Sequence, residues 1–165
     1  MDLDSPGWRE NILKQYRYAV DTVGFDGIHM DTYGYPKSGW GYKSESSHSL
    51  EGSFISFIEE WGRHGDENIF NNVGGWPAKS TASEDQEACY IEVWEPHRRY
   101  HHLRTMIGEV LPAGKPVIIA AYLEPFKIRD EKKDITGDGP IIAAKLLTML
   151  YHHWGRPLFC WERMG

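Results

Sequence analysis

Two acidic residues lie at the ends of apolar, strand-like segments of the sequence. Asp31 follows the apolar positions of GFDGIHMDTYG at 24–34, and Glu92 lies within ACYIEVWE at 88–95. A carboxylate in such surroundings is unfavourable unless it is paired or has a function. Two carboxylates brought together from separate strands supply the nucleophile and the proton donor that glycoside hydrolysis requires. Both residues are therefore candidate catalytic groups.

Side-chain alternation predicts that the two carboxylates face a ligand. Successive residues of a strand point to opposite faces, so Asp31 shares a face with His29, and Glu92 lies opposite to Ile91 and Val93. We expect the apolar pair to pack against helices. An aspartate at a hydrogen-bonded strand end suits an ionised nucleophile, and a glutamate flanked by aromatic residues suits a proton donor.

Each carboxylate also has a structural interpretation. Asp31 can be a turn or helix-capping residue, which is a common role of an aspartate after a strand. Glu92 can be one half of a buried salt bridge with Arg98 or Arg99. The pattern of the residues alone leaves these alternatives open.

Helix-like and strand-like segments alternate along the chain. Apolar periodicity and turn residues predict helices over 5–24, 49–65, 96–111 and 139–155, and strands over 25–31, 67–74, 88–95, 115–124 and 156–161. The strands are too apolar to have a solvated face, which is typical of a parallel sheet covered by helices. Residues 1–165 are expected to form one α/β domain, with long loops over 35–49 and 125–138 at the carboxyl ends of strands, where such proteins bind ligands.

The composition argues against several classes of partner. The formal net charge is −6 and no block of Lys or Arg is present, which disfavours nucleic acid and acidic membranes. No apolar run reaches membrane-spanning length, and the first residues do not have the pattern of a signal peptide. Cys89 and Cys160 are expected to be buried free thiols.

Two further patterns resemble metal sites only superficially. The histidine pairs at 101/102 and 152/153 lie on predicted helices, where adjacent residues do not share a face, so solvated or capping histidines are expected. The segment DITGDG lacks the remaining ligands of a calcium loop, and Asp138 with Pro140 indicates a helix start instead. No metal and no cofactor is predicted.

Four segments follow one another along the chain: GFDGIHMDTYG, IFNNVGGW, YIEVW and GKPVIIAAYLEP. Their order and spacing resemble the catalytic core of glycoside hydrolase family 66, the dextranases and cycloisomaltooligosaccharide glucanotransferases. The resemblance implies a (β/α)8 barrel of TIM type that acts on α-1,6-glucans such as dextran, with retention of configuration and without a metal. It also implies that Asp31 is the nucleophile and Glu92 the general acid/base, with the two carboxyl groups about 5 to 5.5 Å apart.

The resemblance also points to residues that contact the substrate. It implies that Asn71 and Tyr122, at matching strand ends, hydrogen bond the sugar at the cleavage site. Trp76 and Trp94 would form the walls of that site. An α-glucan polysaccharide or oligosaccharide is then the expected partner.

A Gly-rich segment at 33–42 contains further aromatic residues, among them Tyr33 and Trp40. Side chains of this kind stack on sugar rings. Scattered aromatic residues on a tight surface loop explain the same pattern equally well. The sequence is consistent with both interpretations.

The chain is short for a complete barrel. A whole (β/α)8 barrel takes about 250 residues, whereas the sequence predicts only about five of the eight strands, so a fragment that lacks the first strands is expected. The open sheet edge beside Phe25 would then pair with the missing part of the barrel or with another copy of the chain. Members of the family are usually secreted, yet a signal peptide is not recognised here, so no compartment is assigned.

Two other functions are consistent with parts of the pattern. The α-amylases, another group of retaining enzymes, share a GFDG…D strand, but they lack the Tyr-x-Glu-x-Trp partner strand. A truncated and inactive carbohydrate-binding remnant would keep the motifs without the activity.

Overall fold

The computed structural model of the chain describes residues 3–32, 35–41, 46–97 and 99–121, together with positions 145, 146 and 149. The helices are α1 (Pro6–Arg17), which a π-helical segment (Tyr18–Val23) continues, α2 (Leu50–Gly62), α3 (Ala78–Thr81) and α4 (Tyr100–Val110), which a 3-10 turn (Leu111–Ala113) continues. The strands are β1 (Gly27–Met30), β2 (Ser38–Trp40), β3 (Ser47–Ser49), β4 (Glu67–Val73), β5 (Ala88–Val93) and β6 (Val117–Ala121).

Four of the strands form a parallel sheet in the order β1-β4-β5-β6. Ile28 lies opposite Asn68 in the β1 and β4 pair, and Asn71 lies opposite Tyr90 in the β4 and β5 pair. Neighbouring strands of this sheet follow one another along the chain with a helix between them, which is the βαβ arrangement. The predicted parallel α/β fold is confirmed to this extent, whereas closure into a TIM-type barrel stays a prediction.

The buried face of the sheet is the one that side-chain alternation predicted. Ile91 and Val93 are 0% and 6% exposed. They pack in one cluster with four residues of α4, namely Leu103, Met106, Ile107 and Val110. A second cluster joins β1 and β4 to α1 and α2. Since burial of a side chain of this size contributes about 1.5 to 3 kcal/mol, these clusters determine which face of the sheet is covered, and Glu92 lies on the other face.

Local sequence signals set the helix ends. Pro6 occupies the first position of α1 after Ser5, where a helix needs no amide donor. The π-helical segment ends at Gly24, whose φ of 89° lies in the left-handed region that favours glycine. Ser49 caps α2 because its side chain accepts a hydrogen bond from the N–H of Glu51. The predicted starts at 5 and 49 are confirmed.

Strands β2 and β3 and helices α3 and α4 differ from the prediction. The segment 35–49, expected to be a loop, contains β2 and β3, which pair antiparallel with Trp40 opposite Ser47. These three-residue strands are rich in Ser and Gly and have no apolar alternation that would mark them. The four-residue α3 is too short to show an amphipathic repeat. The helix predicted from 96 begins only at Tyr100.

Cys89 is a free thiol and only 1% exposed, as predicted, and burial raises the pKa of this thiol. None of the helices in the described part of the chain has the length and apolarity that crossing a membrane requires. Positions 145, 146 and 149 of the predicted helix over 139–155 are helical. Other predictions lie outside the described residues: those for the strand over 156–161, Tyr33, Tyr122, Arg98, Asp138, Pro140, His152, His153 and Cys160.

Candidate active site

The two candidate catalytic residues lie at one edge of the parallel sheet. Asp31 directly follows β1, and Glu92 is the penultimate residue of β5. Strand β4 runs between these two strands and contributes Asn71. Because the strands are parallel, their carboxyl ends meet at the same edge, and the three side chains come together as the sequence predicted for Asp31 and Glu92.

A single amide group contacts both carboxylates. The Nδ2 atom of Asn71 donates a hydrogen bond of 2.8 Å to Oδ1 of Asp31 and another of 3.0 Å to Oε2 of Glu92. Since both oxygens are bonded to one nitrogen, they lie less than about 6 Å apart. The structure therefore places Asp31 and Glu92 within reach of one reacting atom.

Thr32 adds two hydrogen bonds to this group. Its backbone N–H donates to Oδ1 of Asp31 at 2.9 Å, and its hydroxyl donates to the carbonyl oxygen of Asn71 at 3.1 Å. Both hydrogen bonds that Asp31 accepts from the described residues therefore go to the same carboxylate oxygen. These contacts leave Oδ2 of Asp31 without a hydrogen bond from the described residues.

The three members of the site differ in burial. Asp31 is exposed and Glu92 is half-buried, whereas Asn71 is 4% exposed. The Oδ1 atom of Asn71 is buried and has no hydrogen-bond partner among the described residues. The amide is thus held within the sheet, and the carboxylates face outward from it. The alternative salt bridge from Glu92 to Arg98 or Arg99 stays a prediction, because Arg98 lies outside the described residues.

Tyr90 belongs to the same surface of the sheet. Its ring centroid lies 4.8 Å from that of His29, with the two rings tilted. Burial raises the pKa of the Tyr90 hydroxyl, and the negative charges of Glu92 and Asp31 raise it further. A neutral tyrosine hydroxyl therefore lies in the electrostatic field of both carboxylates.

The aromatic residues predicted to bind sugar lie in different surroundings. Trp76 is half-buried, packs edge-on against Phe54 at 5.9 Å, and lies 5.3 Å from the Lys37 ammonium. Trp94, which follows β5, is 46% exposed, and Trp40 on β2 is 68% exposed. Trp76 and Trp94 thus follow β4 and β5 at the edge that carries the carboxylates, whereas Trp40 lies in the small antiparallel sheet.

Residues 97 to 102 bring three histidine rings together. The rings of His101 and His102 lie 4.1 Å apart, and those of His97 and His102 lie 5.3 Å apart. The contact between adjacent helical residues was not expected. Nδ1 of His102 accepts a hydrogen bond from the N–H of Arg99 at the start of α4, which is the predicted capping role. Over the described ranges, no group of His, Cys, Asp and Glu has the arrangement of a metal site.

Sequence reasoning did not assign site roles to Thr32 and Tyr90. Tyr90 precedes Glu92 by two residues and so shares its face, and this alternation was a sufficient signal for including it. The double role of Thr32 depends on the position of its hydroxyl relative to the next strand. The residue order gives no indication of that position.

Comparison with known proteins agrees with the motifs. The model of glycosyl hydrolase family 66 matches residues 1–145. Two cycloisomaltooligosaccharide glucanotransferases of Niallia circulans are 27% and 29% identical over 74% of this chain, and the chain covers 14% of each. A dextranase of Streptococcus salivarius is 28% identical over 74% of this chain, which covers 17% of it. The matches to these relatives span most of this chain but only a small part of each relative. Because the family model covers most of the chain, this chain belongs to glycosyl hydrolase family 66.

Proposed function

We propose that this chain carries the two catalytic carboxylates of a retaining glycosidase that cleaves α-1,6-linked, dextran-type glucan. The family match and the similarity to proteins named dextranase and cycloisomaltooligosaccharide glucanotransferase support the substrate class. The observation that carries the chemistry is the contact of one Asn71 nitrogen with carboxylates from two strands. In this proposal Asp31 is the nucleophile and Glu92 is the general acid/base.

The spacing of the carboxylates supports retention over inversion. Retaining glycosidases hold their carboxyl groups about 5 to 5.5 Å apart, whereas inverting ones leave about 6.5 to 9.5 Å for a water molecule. The oxygens of Asp31 and Glu92 that share the Asn71 nitrogen lie less than about 6 Å apart, which is below the inverting range and compatible with the retaining one. Direct attack by Asp31 is therefore favoured over attack by an interposed water.

The first step forms a glycosyl ester. An oxygen of Asp31 attacks the anomeric carbon while the bond to the leaving oxygen breaks, and Glu92 gives its proton to that oxygen. Among the described residues, the hydrogen bonds to Asp31 go to Oδ1, so Oδ2 is the oxygen that we assign to the attack. Asp31 is uncharged in the ester, and Glu92 is ionised after it has given up its proton.

The second step reverses the proton transfer. Glu92 takes a proton from water, or from the hydroxyl of an acceptor sugar, as its oxygen attacks the anomeric carbon. The ester bond to Asp31 breaks, and both carboxyl groups return to their starting states. Water as the acceptor gives hydrolysis, and a sugar hydroxyl gives transglycosylation.

Sugar binding is assigned to the residues around the two carboxylates. Trp76 and Trp94 follow β4 and β5 at the edge of the sheet that carries the carboxylates, and aromatic faces of this kind pack against sugar rings. We propose the same role for Trp40 and Tyr33, and a hydrogen bond to the sugar at the cleavage site for Tyr122. The sugar contact that the resemblance implies for Asn71 stays a prediction, since its Oδ1 atom is buried and its Nδ2 atom is hydrogen bonded to the two carboxylates.

The described sheet is proposed to be part of a (β/α)8 barrel. Its four parallel strands and intervening helices have the order found in such barrels, and β1 and β6 are its outer strands. Further strands would pair with these edges, either from another part of the protein or from another copy. Activity is therefore to be measured on the barrel completed with its remaining strands.

A mechanism-based epoxide glycoside of the isomaltosyl type tests the proposal. The reagent reacts with a catalytic nucleophile to give a stable ester. We expect peptide mass spectrometry of the labelled completed barrel to place one adduct on Asp31, and D31N to remain unlabelled. An adduct on another carboxylate would contradict the assignment of Asp31 as nucleophile. No adduct on a folded protein would favour an inactive carbohydrate-binding remnant.

A further inference from the structure

We propose that Asn71 is a positioning residue that couples the two catalytic carboxylates through one amide nitrogen. The inference rests on the proposed function and adds a role that differs from contact with the sugar. Strand β4 is the only described strand with neighbours that carry Asp31 and Glu92, so a side chain at the end of β4 can contact both. Asn71 occupies this position.

The orientation of the Asn71 amide follows from charge. The amide NH2 group has two hydrogens, and each has a carboxylate oxygen as acceptor, at 2.8 Å and 3.0 Å. The reversed orientation would place Oδ1 of the amide against the oxygens of both groups, one of which is negatively charged in each state and repels it. Charge-assisted hydrogen bonds are stronger than neutral ones, so the observed orientation is the stable one.

The buried Oδ1 atom agrees with this assignment. It has no hydrogen-bond partner among the described residues, although Asn71 is 4% exposed. An unpaired buried acceptor is unfavourable, and it persists here because the NH2 group is committed to the two carboxylates. If the side chain at this position served only to fill space, an apolar side chain would avoid this unpaired acceptor.

The backbone of Asn71 is also fixed. Its carbonyl oxygen accepts a hydrogen bond from the Thr32 hydroxyl at 3.1 Å, and the residue pairs with Tyr90 in the register of β4 and β5. Both contacts belong to the strands that carry the carboxylates. A shift of the amide relative to either carboxylate is therefore opposed by the sheet itself.

The bridge has a specific consequence for the reaction. Before the first step the negative charge is on Asp31 and the proton is on Glu92, whereas afterwards Asp31 is an ester and Glu92 is ionised. One negative charge is present throughout, and it moves from one side of the Asn71 nitrogen to the other. The amide can donate to the charged oxygen in both states without moving, which is electrostatic preorganisation.

Three variants in the completed barrel test the role of the amide. N71A removes the donor, and N71D replaces it by a third carboxyl group. N72A is the matched control: Asn72 is 1% exposed, lies on the other face of the same strand, and donates to the carbonyl oxygens of Tyr90 and Phe70. The measurements are kcat and KM on dextran and on an activated aryl isomaltoside, pH profiles, and melting temperatures.

We expect N71A to lower kcat roughly 100-fold on both substrates, with KM changed much less, because the reacting groups are misplaced but the sugar still binds. N71D should lose more activity at neutral pH, where the added carboxylate repels the negative charge of Asp31. The activity of N71D relative to the unsubstituted protein should recover as the pH falls, because the introduced carboxyl group becomes protonated and can then donate a hydrogen bond. N72A should lower the melting temperature and leave the shape of the pH profile unchanged.

Two outcomes would overturn the role of Asn71. One is a large rise in KM with kcat preserved in N71A, which would make Asn71 a sugar contact. The other is an N71D profile with the shape of the N72A profile, which would make Asn71 a packing residue. N71S provides a smaller polar replacement if N71A does not fold. Absence of labelling and of turnover in the unsubstituted barrel would instead refute the proposed function.

Discussion

Thr32 and Asn71 join β1 to β4 through a hydrogen bond of 3.1 Å from the threonine hydroxyl to the asparagine carbonyl oxygen. The same threonine donates its backbone N–H to Oδ1 of Asp31. A residue that carries no charge thus connects the proposed nucleophile to the strand that holds the bridging amide. Its hydroxyl is a local determinant of the geometry of the site.

Replacement of the Thr32 hydroxyl should affect activity more than stability. T32V keeps the shape of the side chain but removes one hydrogen bond, which contributes about 0.5 to 1.5 kcal/mol to folding. We expect kcat on dextran to fall about tenfold with KM nearly unchanged, because Asp31 and Asn71 lose a common anchor. T32S, which retains the hydroxyl, is the control. Equal kcat values for T32V and T32S would show that the hydroxyl does not position the site.

Gly27 in the GFDG motif is explained by the contact between β1 and β4. A Cβ atom at this position would clash with the backbone carbonyl of Glu67 and lie 2.8 Å from the Glu67 Cβ. We expect G27A to lower the free energy of unfolding by about 1 to 3 kcal/mol, because the strands must separate. Urea unfolding measures this change.

G52A is the matched control for G27A. Gly52 lies within α2, and among the described residues nothing is within 4 Å of the Cβ that the substitution adds. Alanine is favoured over glycine in a helix, so G52A should raise the free energy of unfolding by about 0.5 to 1 kcal/mol. Equal effects of the two substitutions would contradict the steric role of Gly27.

Tyr90 should give the protein an alkaline loss of stability. Its pKa is raised above the usual value of about 10 by burial and then by the charges of Glu92 and Asp31. The stabilisation is complete below the unfolded pKa and is lost as the pH rises through the folded pKa, because the unfolded chain releases its proton first. We therefore expect the free energy of unfolding of Y90F, measured by denaturant titration, to fall less between about pH 9 and pH 11 than that of the unsubstituted protein.

Tyr16 allows the effect of burial on a tyrosine pKa to be separated from the effect of nearby charges. Its pKa is also raised, but by burial alone. Y16F should reduce the alkaline loss as Y90F does, whereas D31N should weaken only the contribution of Tyr90, because it removes one of the charges that act on it. An alkaline loss of stability in D31N that equals that of the unsubstituted protein would exclude the electrostatic link between Tyr90 and Asp31.

The parallel sheet was predictable because burial leaves a strong pattern. The apolar runs of β5 and β6 are the parts of the sequence that pack under α4, and alternation placed Ile91 on the covered face and Glu92 on the other. Strands β2 and β3 were not predictable, since SGW and SHS contain no such alternation. The sequence therefore reports the elements that build the core and is silent on small surface sheets.

The candidate site was predictable in its members more than in its contacts. The ends of β1 and β5 identified Asp31 and Glu92, and the motif added Asn71. One nitrogen of Asn71 contacts both carboxylates because of the register of three strands and the torsion angles of the side chains. The residue types alone do not specify either of these. The same holds for the Thr32 hydroxyl. Long-range geometry of this kind requires the folded sheet.

Azide rescue of E92Q tests the central assignment most directly. Without an acid/base, dextran cleavage should nearly cease, while an activated aryl isomaltoside, whose leaving group needs no proton, should still form the ester on Asp31. Azide needs no deprotonation and should restore turnover of that substrate, giving the α-glycosyl azide by nuclear magnetic resonance, as double displacement requires. Equal losses on both substrates that follow the melting temperature, with no glycosyl azide formed, would contradict the account and make Glu92 a structural residue.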